Sequence, residues 1–218
     1  MSDASIHVVL IDNHDSFVYN LVDAFAVGGY RCTVFRNSVP VTEILAVEPD
    51  IICLSPGPGH PLDAGTMMQL IDATLGQIPI LGICLGFQAL LAHYGATVQP
   101  CGPVHGVTDA MQLTHAGRES KIFEQLTTDD RPEIGHIGKT VPVARYHSLG
   151  CRATDAPADI VVLGTCETTK LGAVIMAART ADGMAIGLQF HPESILSPNG
   201  PIILDRCIET LISTTTPK

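Results

Sequence analysis

The chain has 218 residues, of which 46% are hydrophobic, and 22 Asp and Glu stand against 12 Lys and Arg for a formal net charge of −10. That length buries a substantial core in one large domain or two small ones, and the acidic balance argues against nucleic acid, whose phosphates need clustered Lys and Arg. No apolar stretch approaches the roughly 18–20 residues that cross a bilayer. The terminus Met1-Ser2-Asp3-Ala4-Ser5 lacks the basic and apolar parts of a secretory signal. Seven cysteines without a C-x-x-C pair fit reduced thiols of a cytoplasmic protein better than a disulfide framework.

In chain order, His7–Ile11 reads as a continuous apolar strand, followed by a helix from about Ser16 to Val27 that stops at Gly28-Gly29. A strand over Arg31–Phe35 leads to a short helix near Val41–Val47, with Pro40 suited to its first turn. Then come a strand at Ile51–Leu54, a helix at Thr66–Leu75, a strand at Ile78–Ile83 and a helix at Phe87–Tyr94. From about Ala96 the pattern loosens into the strands Val141–Tyr146, Ile160–Leu163, Ala173–Arg179 and Met184–Phe190, the last two joined through an Asp182-Gly183 hairpin signal. Residues 117–140, polar and Pro/Gly-bearing, read as a surface excursion; a helix over about Pro201–Ile212 and a frayed tail, Ser213–Lys218, close the chain. Fully apolar strands separated by helices describe a single α/β domain with a mostly parallel central sheet flanked by helices.

Ligands of such sheets collect at the carboxyl ends of the strands. There lie Asp12-Asn13-His14-Asp15, Ser55-Pro56-Gly57-Pro58-Gly59, Cys84, and His191-Pro192-Glu193. Gly82-Ile83-Cys84-Leu85-Gly86 has the form of a nucleophile elbow, with Cys in the usual place of Ser and glycines where chain must pass closely. The helix that follows turns its positive end toward the sulfur and favours the thiolate. A free cysteine is more often a small buried hydrophobe, which is the reading for most of the other six. A nucleophile also needs a base and an orienter. His191 and Glu193 are spaced to emerge on one side of an extended segment, with Pro192 favouring that extension. Glu193 then holds one imidazole nitrogen while the other faces Cys84; on its own, such a tripeptide is more often a surface turn. The Leu85 N–H, just after the nucleophile, is one expected oxyanion donor, and the Pro-Gly loop around Gly57 is the candidate for the second. That loop lacks the length and the Lys of a phosphate-binding loop. His60, His93, His115 and His136 lack ligand spacing, so no metal is expected.

Six segments occur in order: Asp12-Asn13-His14-Asp15-Ser16-Phe17-Val18-Tyr19-Asn20, Ser55–Gly59, Leu81–Gln88, His105-Gly106, Arg145-Tyr146-His147-Ser148-Leu149 and Gln189-Phe190-His191-Pro192-Glu193-Ser194. Together they resemble the class I (triad) glutamine amidotransferases, in the branch that supplies ammonia to chorismate-using synthases. The resemblance covers residues 7 to about 212 and implies one amidotransferase domain over 1–218, ordered between about 6 and 212, with a flavodoxin-like core. It implies Cys84, His191 and Glu193 as the catalytic triad and Gly57 and Leu85 as oxyanion donors. Gly57, Pro58, Gly59 and Gln88 would contact bound L-glutamine, and Ser148 and Leu149 would hold its α-amino and α-carboxylate groups through backbone. It further implies hydrolysis through a cysteinyl thioester, no cofactor, and ammonia delivery to a large chorismate-binding subunit in a heteromer. Overall likeness leans to the glutaminase subunit of anthranilate synthase, in tryptophan biosynthesis. The corresponding aminodeoxychorismate synthase subunit and a stand-alone γ-glutamyl hydrolase are the alternatives, and the intact triad disfavours a non-catalytic scaffold. Val107 stands where relatives commonly carry Lys, which puts a charge at the partner interface in question. Asp15-Ser16 reads equally as a helix cap or an interface element, and His147 equally as an orienter of the glutamine loop or a packed surface histidine.

Overall fold

The computed structural model describes residues 5–215. Residues 1–4 and 216–218, on which the expectations of a missing secretory signal and a frayed tail largely rest, lie outside them. The first half alternates as expected: β1 (His7–Asp12), α1 (Val18–Val27), β2 (Arg31–Arg36), α2 (Val41–Leu45), β3 (Ile51–Leu54), α3 (Met67–Thr74), β4 (Ile80–Ile83) and α4 (Leu85–His93). Then follow β5 (Gln99–Pro100), β6 (Val107–Leu113), α5 (His115–Glu119), β7 (Thr140–Arg145), β8 (Leu149–Gly150), β9 (Ile160–Thr168), β10 (Gly172–Thr180), β11 (Ala185–Leu188) and α6 (Gly200–Thr215).

Nine strands form one sheet in the order β2-β1-β3-β4-β11-β10-β9-β6-β7, and β5 pairs separately with β8. From β2 to β11 every ladder is parallel, in the flavodoxin-like order once β11 is counted as the fifth strand. From β11 to β7 every ladder is antiparallel. The strand period of two sends alternate residues to opposite faces. Val8 and Leu10 pack with Leu21 and Phe25 of α1 and Ile203, Leu204 and Ile208 of α6. Val9 and Ile11 pack with Ile44 of α2, Leu70 and Ile71 of α3 and Leu90 of α4. Each such fully buried side chain contributes about 1.5–3 kcal/mol, so both faces are apolar and the chemistry is left to the strand ends. Among the described residues no helix is long and apolar enough to cross a membrane, and all seven cysteines are free thiols.

Several boundaries differ from the sequence expectation for identifiable reasons. Helix α1 starts at Val18, not Ser16, because the Asp15 carboxylate accepts the Phe17 N–H (2.7 Å) and builds a turn ahead of the helix; no side chain caps α1 itself. Helix α4 starts at Leu85, not Phe87, because Cys84 alone, at φ 49° and ψ −99°, converts strand to helix. The Asp182-Gly183 hairpin is present, with Gly183 at φ 77°. Strand β6, largely exposed and therefore weakly patterned, carries no sequence signal, and α6 continues past Ile212 to Thr215. Residues 117–140 are not wholly a surface excursion. Ile122 and Phe123 are buried in the core, and Arg206 of α6 donates to the Glu124 carbonyl at 2.6 Å.

The two elbow glycines are demanded by backbone crossing backbone. A Cβ on Gly86 would lie 2.3 Å from the Leu54 carbonyl oxygen, and one on Gly82 would lie 2.8 Å from the Gly86 carbonyl carbon and oxygen. Strand β3, strand β4 and helix α4 could not then meet as they do. Gly86→Ala should therefore lower unfolding stability by about 1–3 kcal/mol, as overpacking does, measured by urea denaturation. An unchanged midpoint would show that β3 and α4 can separate freely.

Candidate active site

Cys84 sits at the carboxyl end of β4, inside the sheet, and its N–H donates to the Leu188 carbonyl of β11 at 2.8 Å. Its positive φ lies where non-glycine residues are strained by roughly 1–3 kcal/mol, and this aims the thiol off the sheet edge in front of α4. Leu85, the first helical residue, has no intrahelical acceptor for its N–H. Beside it runs the Ser55–Gly59 loop. A Cβ on Gly57 would fall 2.6 Å from the Asn13 Cβ and 2.8 Å from Leu85 Cδ2, so glycine is needed there for the protein's own packing. Asn13 fixes this loop: its N–H donates to Ser55 Oγ (2.9 Å) and its Nδ2 to the Ser55 carbonyl (3.0 Å). Asn37 Nδ2 in turn donates to Asn13 Oδ1 at 3.2 Å. The Gly86 N–H reaches the Ser55 carbonyl at 3.3 Å, joining the loop to the start of α4.

His191 and Glu193 meet through Nδ1 and Oε1 at 2.7 Å, with both side chains almost fully buried. They do so in a turn and not in the extended segment expected: the Ser194 N–H bonds back to the His191 carbonyl at 3.2 Å. This turn is buried because α6 starts against it; a Cβ on Gly200 would be 1.8 Å from the Pro192 carbonyl oxygen. The His191 backbone hangs on β7, its N–H on the Ala144 carbonyl (2.9 Å), while Ser197 Oγ donates to its carbonyl at 2.8 Å. Nε2 has no hydrogen-bond partner among the described residues and is free to face the Cys84 sulfur. Burial acts against a charge on this ring, but contacts with the Cys84 sulfur and the Glu193 carboxylate outweigh it and push His191 up to about 10. Phe17 and Tyr146 pack their rings edgewise on His191, with centroids 5.2 and 5.1 Å away.

A cavity of about 170 Å³ opens over the thiol, lined by Gly57, Pro58, Gly59, Cys84, Gln88, Tyr146, His147, Ser148 and Leu149. Of the ten site residues implied by the sequence resemblance, seven line this one space; His191 stands beside the sulfur with Glu193 bonded to it, and Leu85 directly follows Cys84. The 146–149 loop is clamped from outside by the segment after β5. Cys101 N–H donates to the Ser148 carbonyl (2.9 Å), Val104 N–H to that of His147 (3.0 Å) and Gly106 N–H to that of Arg145 (3.0 Å). His147 is neither surface-exposed nor charged. It is 5% exposed, and burial and the Arg145 guanidinium beside it push it down to about 4. Val107, at the start of β6, is exposed.

Sequence reasoning missed Gln189, which is fully buried with its Nε2 3.5 Å from Cys84 Sγ. It also missed Asn13 and Ser55 as the anchors of the Pro-Gly loop. A polar residue directly after an apolar strand was the available signal for Gln189. Burial raises the thiol pKa of Cys32, Cys53, Cys101, Cys151, Cys166 and Cys207, in keeping with their reading as small hydrophobes. No group of His, Cys, Asp and Glu among the described residues could hold a metal ion.

A family model described as glutamine amidotransferase class-I matches residues 9–211. Anthranilate synthase component 2 of Corynebacterium glutamicum is 67% identical over 208 residues, covering 95% of this chain and 99% of that protein. Anthranilate synthase component 2 of Haemophilus influenzae is 36% identical over 211 residues, covering 95% and 98% respectively. Among solved structures, a glutamine amidotransferase from Thermotoga maritima shares the fold with a TM-score of 0.68 at 18% identity, covering 96% of this chain and 99% of that one.

The raised His191 has a signed consequence for stability. Its proton is held more tightly folded, at about 10, than in an unfolded chain at about 6.5, so the stabilisation is complete below the lower value and is lost as pH rises through the upper one. The ring resonances of His191, followed by NMR across that window, should therefore titrate with a midpoint near 10, far above the usual 6.5. A midpoint at or below 6.5 would mean that His191 is neutral in the folded protein at neutral pH.

Proposed function

Because the chain belongs to the class I glutamine amidotransferases, we propose that it is the glutamine-hydrolysing component of an anthranilate synthase. The observation that carries this reading is the 67% identity, over nearly the full length of both chains, to a protein named anthranilate synthase component 2. The juxtaposition of Cys84, His191 and Glu193 beside one small polar cavity supports the chemistry.

In this reading L-glutamine occupies the cavity with its side-chain amide against the thiol. The raised His191 is protonated at neutral pH, and in the attacking form its imidazolium stands beside the Cys84 thiolate. The sulfur attacks the amide carbon, a C–S bond forms, and the oxygen takes the negative charge, held by the N–H groups of Leu85 and Gly57. His191 gives its proton to the amide nitrogen, the C–N bond breaks, and ammonia leaves a γ-glutamyl thioester. His191, now neutral and oriented by Glu193, takes a proton from water, whose oxygen attacks the thioester carbon. The C–S bond then breaks, releasing glutamate and restoring the thiolate–imidazolium pair. Ser148 and Leu149 hold the α-amino and α-carboxylate groups through backbone, and Gln88 keeps its Oε1 for the substrate because Nε2 is already engaged twice.

Ammonia is useful as a nucleophile only unprotonated, so it passes to a large chorismate-binding subunit with which this chain forms a heteromer in the cytoplasm. Free thiols throughout are in keeping with that reducing compartment. Reconstituted with the synthase subunit of the same organism, Cys84→Ala should lose glutamine-dependent anthranilate formation by about a thousandfold or more, as nucleophile removal does, and keep the ammonium-dependent reaction. Glutamine use retained by Cys84→Ala would overturn the nucleophile. Formation of aminodeoxychorismate in place of anthranilate would overturn the pathway while leaving the amidotransferase chemistry standing.

A further inference from the structure

Beneath the cavity runs a chain of hydrogen bonds whose direction is fixed by its fixed members. The Leu149 carbonyl can only accept, and it takes two donors, His147 Nδ1 at 2.9 Å and Gln88 Nε2 at 3.0 Å. Gln88 must therefore present its nitrogen there, and the second N–H of that nitrogen goes to Gln189 Oε1 at 3.1 Å. With its oxygen so committed, Gln189 has only an N–H to offer the Cys84 sulfur, 3.5 Å away. The other branch is equally constrained. Arg145 can only donate, and its Nε reaches His147 Nε2 at 3.1 Å, which leaves the proton of a neutral ring on Nδ1, facing Leu149.

We propose that Gln189 is a further catalytic residue, whose side-chain N–H is held against Cys84 Sγ to stabilise the thiolate. The orientation of its amide is set by Gln88 and the Leu149 carbonyl. The inference rests on the reading of Cys84 as the nucleophile. A hydrogen bond to a charged acceptor is about twice as strong as one to a neutral acceptor, so this contact strengthens when the proton leaves sulfur. It also returns to full strength when the thioester is hydrolysed and the thiolate leaves the substrate. Gln88 and Gln189 are 3% and 0% exposed, so neither amide exchanges its partner for water. The link also joins substrate to nucleophile: the carbonyl that orients both amides belongs to the loop assigned to the substrate's α-carbon groups. The titratable groups around Cys84 are His191, with Glu193 behind it, the Cys101 thiol, and His147 and Tyr146, which line the same cavity. The first turn of α4 contributes no acidic residue.

The test is the pH dependence of Cys84 alkylation by iodoacetamide, read on the Cys84 peptide by mass spectrometry, for the wild type, Gln189→Met and Gln189→Glu. Methionine keeps the length and loses the donor; an ionised glutamate keeps the shape and replaces the donor by a like charge. The midpoint should rise by about one pH unit in Gln189→Met and by more in Gln189→Glu, with kcat for glutamine falling about tenfold and KM changing little. Superposable profiles for all three proteins would overturn the proposal. Should either variant fail to fold, the side-chain amide resonance of Gln189 in the wild type decides: it should titrate with the midpoint of Cys84 alkylation, and a resonance that does not move overturns the proposal. A wild type whose Cys84 resists a glutamine-analogue electrophile would instead overturn the nucleophile assignment on which the proposal stands.

Discussion

Holding one non-glycine residue at φ 49° and ψ −99° is the constraint around which the rest of this molecule is arranged. Cys84 stays there because the chain on either side cannot relax: Ile80–Ile83 is laddered between two parallel neighbours, and α4 begins at the very next residue. Gly86 lies against the Leu54 backbone and Gly57 against Leu85, so the start of α4 and the Pro-Gly loop are both wedged at van der Waals contact. The strain is thus shared by β3, β4, β11 and α4, whose apolar side chains are buried on both faces of the sheet. Stability spent at one residue returns as a sulfur fixed in front of a helix N-terminus.

The two halves of the sheet divide the labour. The parallel half supplies Cys84 and the Pro-Gly loop, each after a strand end. The antiparallel half supplies the 146–149 loop, which follows β7, and holds His191, whose backbone is bonded to β7. Strand β11 belongs to both halves, pairing parallel with β4 and antiparallel with β10, and Gln189 follows its last residue. Its buried side-chain amide joins the 146–149 loop, through Gln88, to the Cys84 sulfur.

What was legible in the sequence was whatever local pattern determines. The strands of the parallel half announce themselves as unbroken apolar runs, and the elbow by glycines that backbone crossing requires. His191 and Glu193 were legible as a pair, although their geometry is a turn and not an extended strand, since packing of α6 against Pro192 overrides the local preference. Residues whose roles come from distant partners were not legible. Asn13 matters through Ser55 and Gln189 through Gln88, each pair joined only by the folded sheet. Strand β6 was missed because its outward face is polar, and Ile122 and Phe123 because their short apolar stretch is buried by a helix some eighty residues later.

The ends of the 128–140 segment are tied to each other and not to the chemistry. The Thr128 N–H bonds to the Thr140 carbonyl at 2.9 Å, and Thr140 is paired with Gln112 on β6. Whatever lies between those threonines begins and ends at one rung of the ladder. A gene for this chain can gain or lose codons there while Cys84, His191 and the 146–149 loop keep their places. Evolution and protein engineering share the same free parameter: a reporter peptide or an affinity handle spliced between Asp130 and Gly138 would ride on a catalyst that does not register its length.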